Sequence, residues 1–479
     1  MAFEDRTYDF NVKKENYSEW YSQVLEASGI LDSRYNIKAM FVWLPYGIEI
    51  MNTLKLYWDN LFKKAEIKEV LFPQFVPISY CEQNERWWEG FKEEGYRATA
   101  GDGEEKWVIR PTGEPAMYPM FSLWIRTKND LPIRVYQTVS SFRYETKQTH
   151  PLIRDRQITF WFEIHTVHST KEEADKELEL HTKFYEDIYK NILALPPFRV
   201  VKPLWECFPG AVGAYEYYTL MPDGKVMENG SANHLGQAYA KKFNVKFTDE
   251  DGKEKYAWQV CTGNGARFLA AAISIHGDDK GLVLPPKIAP IQAVIIPILF
   301  KGKEEIILNH AKKLYEKLSE SEVRVFLDER EISPGRKYND WEVKGVPIRI
   351  ELGPRDIENK KAVVVRRDNF EKISVDEKNL ISEVNDILSK IHDNLYKNAK
   401  ANLEKNISFV SKKEDIQKTV ENGKIANIFW CNERECYDKI EEIGEGIEGF
   451  GIDLDETKEG KCIFCGKNTK NKLFVAKSY

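Results

Sequence analysis

No stretch of the 479 residues approaches the roughly 18 consecutive apolar positions that a membrane helix needs, which excludes a spanning helix from the reading. Net positive charge is absent too. With 70 Lys and Arg against 76 Asp and Glu, the formal charge is -6, so no global field steers the chain to nucleic acid, and such a partner has to meet local basic surface. The opening MAFEDRTYDF has no apolar core segment, so no signal peptide is expected and a cytoplasmic location follows. Cysteine is scarce, with 7 in all, and Cys81, Cys207 and Cys261 are scattered. In a cytoplasmic chain that argues against a disulfide framework and leaves metal as the use for the group between 431 and 465. Internal repeats and low-complexity segments are missing as well.

What is present fits a soluble globular protein: 42% hydrophobic and 30% charged residues, over a length that calls for two or three domains. Residues 1–288 mix long helical patterns (IEIMNTLKLYWDNLFKKA, KEEADKELELHTKFYEDIYKNIL) with alternating apolar runs (IRVYQTVSSFRYE, ITFWFEIHTVH), which predicts an α+β domain on an antiparallel sheet. LPPKIAP, at 284–290, breaks the pattern as an extended connector. Residues 289–399 then alternate strand and helix as a compact α/β domain, and residues 400–479 form a third piece.

FRYETKQTHPLIRDR, at 142–156, carries the densest chemistry. Alternation predicts that Arg143 and Glu145 project from one face of a strand, and that Arg154 and Arg156 share a side of the returning one. Such a pair offers arginine forks to a phosphate chain and a carboxylate to an amine or ribose, although a salt-bridged surface hairpin has the same composition. GNGAR, at 263–267, places two glycines and Arg267 ahead of a helical pattern; a lone GxG is more often a turn than a nucleotide cradle. Cys431-x4-Cys436-x25-Cys462-x2-Cys465 gives two close thiol pairs, a closed tetrahedral set for structural Zn²⁺.

In this order, three segments resemble the signature motifs of class II aminoacyl-tRNA synthetases. The helix starting near Gly47 and leading to Pro73 is similar to motif 1, FRYE with RDRQITF to motif 2, and GNGAR with its helix to motif 3. RPTGEPAMYPMFSLWI, HLGQAYAKKFNVKF, HGDDKGLVLPPKIAPIQ and PGRKYNDWEVKGVPIRIELGPRD narrow the resemblance to the prolyl-tRNA synthetase family of the shorter archaeal and eukaryotic type, over essentially the whole chain. The resemblance implies a class II catalytic domain, an α/β anticodon-binding domain and a small zinc-binding α+β domain. It also implies a homodimer that uses ATP and Mg²⁺ to charge tRNA(Pro) with an amino acid, most simply proline.

By the same resemblance Arg143 bridges the amino acid carboxylate and the ATP α-phosphate, Glu145 holds the adenine amino group, Arg154 meets the γ-phosphate, and Arg267 lies on the other side of the nucleotide. Asp155, Glu228 and Ser231 are the remaining ATP positions; Thr112, Glu114, Trp161, Glu163, His165, Asn233, Cys261 and Gly263 join Arg143 around the amino acid. Lys344, Arg349, Glu351 and Arg355 are the anticodon positions, and Tyr479 is the residue whose carboxylate reaches towards the active site.

The pocket departs from the family pattern. Gly113 stands where Ser is usual, Asp155 where Thr is, and ENGSAN replaces Q-x-G-T-S-H, which puts Asn233 in place of a His that packs on the proline ring. Thr262 and Arg97 take places that are commonly aromatic. Each change removes apolar contact from, or adds polarity near, a pocket for a small apolar ring. Three readings stay open: a proline enzyme with a repacked pocket, a paralogue that activates a more polar amino acid or proline analogue, and a non-catalytic tRNA-binding relative.

Overall fold

A computed structural model describes residues 10–146, 149–455 and 459–479; the opening nine residues, and Lys147 and Gln148 of the charged segment, lie outside the described residues. Among the described residues no helix is long and apolar enough to cross a membrane.

The first half of the chain is built on strands that alternate as the sequence predicts. Helix α1 (Pro45–Lys64) precedes β1 (Ile133–Phe142) and β2 (Gln157–His168), an antiparallel pair. Helix α2 (Lys171–Asp187) follows, its start fixed by a capping box between Thr170 and Glu173. Then come β3 (Phe198–Val201), β4 (Gly213–Leu220), β5 (Lys225–Gly236), β6 (Trp258–Asn264) and helix α3 (Arg267–His276). Phe162 and Ile164 of β2 point to the helix side, where Trp58 of α1 lies 5.9 Å from Phe162 and 6.0 Å from Phe268 of α3. The Ala270–Ala272 run lets α3 lie close against the sheet. The opposite face of β2 is left to Trp161, Glu163 and His165.

The middle domain has the expected alternation around a five-stranded sheet that includes β7 (Ala293–Pro297) and, after α4 (Pro334–Val343), β8 (Ile348–Leu352). Helix α5 (Leu380–Lys405) runs through position 400 without a break. Beyond it β9 (Ile407–Phe409), β10 (Ile425–Phe429), β11 (Ile447–Ile452) and β12 (Lys472–Ser478) join the catalytic sheet. The resulting eleven-stranded order is β9-β10-β12-β11-β3-β4-β5-β6-β2-β1 with Lys68–Glu69 at the edge. Ile452 pairs with Val201, and the end of β12 runs parallel to β5, so the last piece of the chain extends the sheet that carries the site.

The charged segment corrects one expectation. β1 stops at Phe142 and β2 starts at Gln157, so none of Arg143, Glu145, Arg154 and Arg156 lies on a strand face. Pairing persists for one step, Arg143 N donating to Arg156 O at 3.0 Å, and then the chain turns, Glu145 N donating to Arg143 O at 2.8 Å. Freed from the pleat, the side chains diverge: Arg156 stacks 3.9 Å from the Tyr144 ring, while Arg154 turns to Glu145.

Candidate active site

Register assembles the site. Glu163 of β2 faces Gln137 on one side and Gly263 on the other, and the same rung continues through Ser231 to Glu216. The next rung runs His165, Cys261, Asn233. Because side chains two apart share a face, residues as far apart in sequence as Glu163 and Gly263 meet without a loop having to carry them.

Two cavities open on this face. One, of about 380 Å³, is lined by Arg143, Glu145, Arg154, Asp155, Glu228 and Arg267. The other, of about 320 Å³, is lined by Thr112, Glu114, Glu163, His165, Asn233 and Cys261. The residues expected around the nucleotide line the first cavity and those expected around the amino acid the second, except that Ser231, expected beside the nucleotide, lines the second and accepts from Asn233 Nδ2 at 2.9 Å.

Three guanidinium groups meet at the first cavity. Arg143 donates through Nε to the Pro111 carbonyl at 3.2 Å, and its charged plane lies between Phe91 and Trp161, 5.5 and 5.0 Å from their rings. Arg267 is anchored through Nε to Ile153 O and Nη1 to Glu228 O, both at 2.8 Å. Burial lowers its pKa, Arg154 and Arg143 add to the effect and Glu228 opposes it, as expected where like charges converge. Arg154 pairs with Glu145 at 3.2 Å and also donates to the main-chain oxygen of Tyr479. Asp155 holds the loop: its Oδ1 accepts from Leu152 N at 2.9 Å, fixing Leu152 at a φ of 66°, and burial pushes its carboxyl well above the ordinary range.

In the second cavity Glu163 is a hub. Its carboxylate accepts from Arg110 Nη1 (3.1 Å), Gln137 Nε2 (2.6 Å), Gly113 N (3.0 Å) and Trp161 Nε1 (3.0 Å), and lies 3.3 Å from His165 Nε2. So many partners leave it to position the pocket's walls. Its neighbours explain three glycine and threonine departures or constraints. A Cβ on Gly113 would sit 2.6 Å from Glu163 Oε2, which is pinned and cannot yield; the usual Ser does not fit here. A Cβ on Gly263 would meet the Trp161 ring at 2.7 Å, so this glycine of GNG serves the tryptophan. Thr262, one residue out of phase, borders the second cavity but turns its hydroxyl to the helix side, where it bonds His181 Nδ1 at 2.7 Å. Thr112 donates to Glu114, whose carboxyl is pushed up by burial, and Tyr118 bonds His165 Nδ1 at 3.1 Å.

Burial alone raises the Glu163 carboxyl, but the hydrogen bond and charge of His165, the Arg110 guanidinium and the Gln137 amide outweigh it and hold it at about 2 against an ordinary 4.5. A depressed folded pKa stabilises fully above pH 4.5 and is lost as pH falls towards 2, an effect of about 3 kcal/mol. We therefore expect the urea midpoint of the protein to fall more steeply between pH 5 and 3 than that of Glu163→Gln, with the slope rather than the absolute stability as readout. Parallel slopes would refute the hub.

Elsewhere the four positions expected at the anticodon divide. Arg349 and Glu351 share a face of β8 and are ion-paired at 3.1 Å, in a chain with Glu342 (2.7 Å) and Lys372 (3.2 Å). Lys344 ends α4 with its ammonium near the rings of Trp341 and Tyr46, against the catalytic domain, and Arg355 is exposed at the start of the helix Pro354–Glu358. Cys431, Cys436, Cys462 and Cys465 converge with all four sulfurs within 4.8 Å of one another. The 3.7 Å between the Cys431 and Cys465 sulfurs matches the edge of about 3.8 Å in a tetrahedron with Zn–S bonds near 2.3 Å, so the donor set fits zinc.

Sequence reasoning missed Lys202, which follows β3 and lines both cavities, and Glu216 and Tyr218 of β4, which hold it. The available signal was a buried-phase acid in GAYEYYTL, the kind of residue that stays inside only with a partner.

Comparison with known proteins agrees with this geometry. A model of the tRNA synthetase class II core domain (G, H, P, S and T) matches residues 96–276, one of an anticodon binding domain matches 292–387, and one of the prolyl-tRNA synthetase C-terminal region matches 413–479. A proline--tRNA ligase of Methanobrevibacter smithii is 43% identical over 473 residues, covering 97% of this chain and 100% of that protein. Those of Thermococcus kodakarensis and Methanococcoides burtonii are 43% and 42% identical, each over 97% of this chain and 98% of the relative.

Proposed function

Since the chain belongs to the prolyl-tRNA synthetase family, we propose that it activates proline with ATP and passes the prolyl group to the 3′ end of a proline-accepting tRNA. The supporting observation is the convergence of Arg143, Arg154 and Arg267 on one cavity that shares Arg143 with the cavity of Thr112, Glu114 and His165. A carboxylate and a triphosphate repel each other; guanidinium groups on both sides let them approach. The carboxylate oxygen then bonds the α-phosphorus as the bond to the bridging oxygen breaks and pyrophosphate leaves, with no covalent protein intermediate. The 3′-terminal hydroxyl next attacks the acyl carbon, and AMP leaves. Glu228, whose side chain stands between the cavities, would hold the Mg²⁺ that the family uses, and that ion supplies charge neutralisation on the phosphates. The four thiols would hold structural zinc.

Within this reading Arg143 and Arg267 are the catalytic cations, Glu145 meets adenine once Arg154 turns to phosphate, and Lys344, Arg349, Glu351 and Arg355 serve the anticodon. A cytoplasmic place belongs to the same proposal. One observation favours the polar-analogue alternative: Asn233 Oδ1 is buried in the amino acid cavity without a hydrogen-bond partner. ATP–pyrophosphate exchange across the twenty standard amino acids and hydroxylated prolines separates the readings. Proline alone supports the proposal, a polar substrate replaces it, and silence with intact tRNA binding leaves a non-catalytic relative.

The functional unit in this proposal is a homodimer. An apolar groove of about 500 Å³ runs along the segment 70–77, where Leu71 is 80% and Phe75 55% exposed beside Trp124. Water-exposed apolar surface of this kind calls for a partner, and a second copy offers the same segment. Leu71→Asp combined with Phe75→Asp is expected to halve the mass seen by analytical ultracentrifugation; an unchanged mass would place the dimer contact elsewhere.

A further inference from the structure

Where the two cavities meet, the lining is common to Arg143, Trp161, Lys202, Glu228 and Gly263. Trp161 and Gly263 form the wall, since the glycine's missing Cβ is the space the indole fills. Of the remaining three, Arg143 is the cation that the motif supplies. Lys202 is a second cation, and it comes from a different strand.

We propose that Lys202 is a catalytic residue of the activation step, its ammonium touching the oxygens of the acyl phosphate as the carboxylate bonds the α-phosphorus. This rests on the amino acid-activating reading of the same cavities. The lysine is built into place. Its main chain is tied to β4 through Lys202 N and Ala214 O at 3.0 Å, and its Nζ lies 3.1 Å from Glu216 Oε2 and 3.0 Å from the Tyr218 hydroxyl. Tyr218 in turn donates to Glu216 at 2.5 Å, closing a triangle with little freedom. An ammonium has three N–H donors, and these contacts account for two. Burial works against its charge, yet Glu216 and Glu228 more than compensate and its pKa is raised, so it keeps its proton throughout. Its work is electrostatic.

A lysine placed this way does what one arginine cannot. Arg143 reaches the junction from the β1 end, stacked on Trp161, whereas Lys202 reaches it from β3, beyond β2, β6, β5 and β4 in the sheet. Two cations approaching from separate strands can bracket the anion that forms, and the bracket holds geometry fixed before substrates arrive. In the step itself a carboxylate oxygen–phosphorus bond forms, the phosphorus–oxygen bond to the leaving pyrophosphate breaks with its electron pair, and no proton moves.

The test is steady-state pyrophosphate exchange on the full-length protein, with melting temperatures measured alongside. Lys202→Met keeps the stem and removes the charge; its kcat is expected to drop about 10²-fold to 10³-fold with KM for ATP and for proline within a few fold. Lys202→Arg should recover part of that loss. If Lys202→Met does not fold, Glu216→Gln gives the reading: the lysine keeps its charge but loses its anchor, and kcat is expected to fall about tenfold, the cost of one charged hydrogen bond. Exchange by a folded Lys202→Met within threefold of wild type, or a loss confined to KM, overturns the proposal. So does an unchanged kcat in Glu216→Gln where that variant carries the test. Silence of the wild-type protein itself, with every amino acid, would instead sink the functional reading on which the lysine depends.

Discussion

Arg143→Ala is expected to reduce proline-dependent pyrophosphate exchange by about 10³-fold or more while leaving tRNA affinity within a few fold. No carboxylate among the described residues pairs with this arginine; it is anchored by a carbonyl at its Nε and by two rings on its faces, which leaves the far edge of the fork for a ligand. It alone of the three guanidinium groups lines both cavities, so its loss removes the charge shared by the two anions that must react. Arg143→Lys should recover little, because an ammonium neither presents a bidentate edge nor stacks between Phe91 and Trp161 in the same way. Filter binding of tRNA supplies the control, since the anticodon-binding domain is far along the chain and contributes no residue to either cavity. Exchange that survives the alanine would move the central role to Arg267.

The sequence made the pieces of this site visible but not their joints. Periodicity was enough for β2, because ITFWFEIHTVH alternates a helix-facing apolar set with Trp161, Glu163 and His165. The motifs were enough to place Arg143 and Arg267 on one cavity. Strand ends were harder: FRYE continues the alternation of β1, yet the chain leaves the sheet after Phe142 where Arg143 pairs once with Arg156 and turns. Alternation says which side a residue takes only while the ladder lasts. Thr262 shows a related limit. Its identity suggested a pocket made polar, but phase turns its hydroxyl away to His181 while the residue still borders the cavity. Lys202 escaped notice because nothing in VVKP marks a catalytic lysine; the acid that holds it arrives fourteen positions later, and only the β3–β4 register brings them together. The continuity of the last domain with the sheet had no local signal at all, since the join is made by a few long-range pairs, Ile452 with Val201 and the end of β12 with the start of β5.

That join gives the four-thiol cluster a reach beyond its own fold. Cys431 lies two residues past the end of β10, and Cys462 and Cys465 precede β12, so the thiols clamp the ends of two strands that pair with each other. Trp430, fully buried between them, donates to Glu433 O at 3.2 Å and packs edge to face with Trp205 at 5.9 Å. β12 continues into Ser478 and Tyr479, which line the nucleotide cavity, and the main-chain oxygen of Tyr479 holds Arg154. Chelation or Cys462→Ser is therefore expected to do two things. The last domain should melt separately and at lower temperature, because thiols brought together without their ion no longer offset the ordering of the loops. The KM for ATP should rise roughly tenfold, corresponding to loss of one charge-assisted contact at Arg154. Buried Trp430 provides a readout independent of activity, a red shift in tryptophan emission on metal loss. Cys81→Ser, in a separate core, can lower overall melting by burying a hydroxyl but should leave tryptophan emission and the KM for ATP as they were. If metal content falls by one equivalent while melting and KM stay unchanged, the thiol cluster does not brace the cavity.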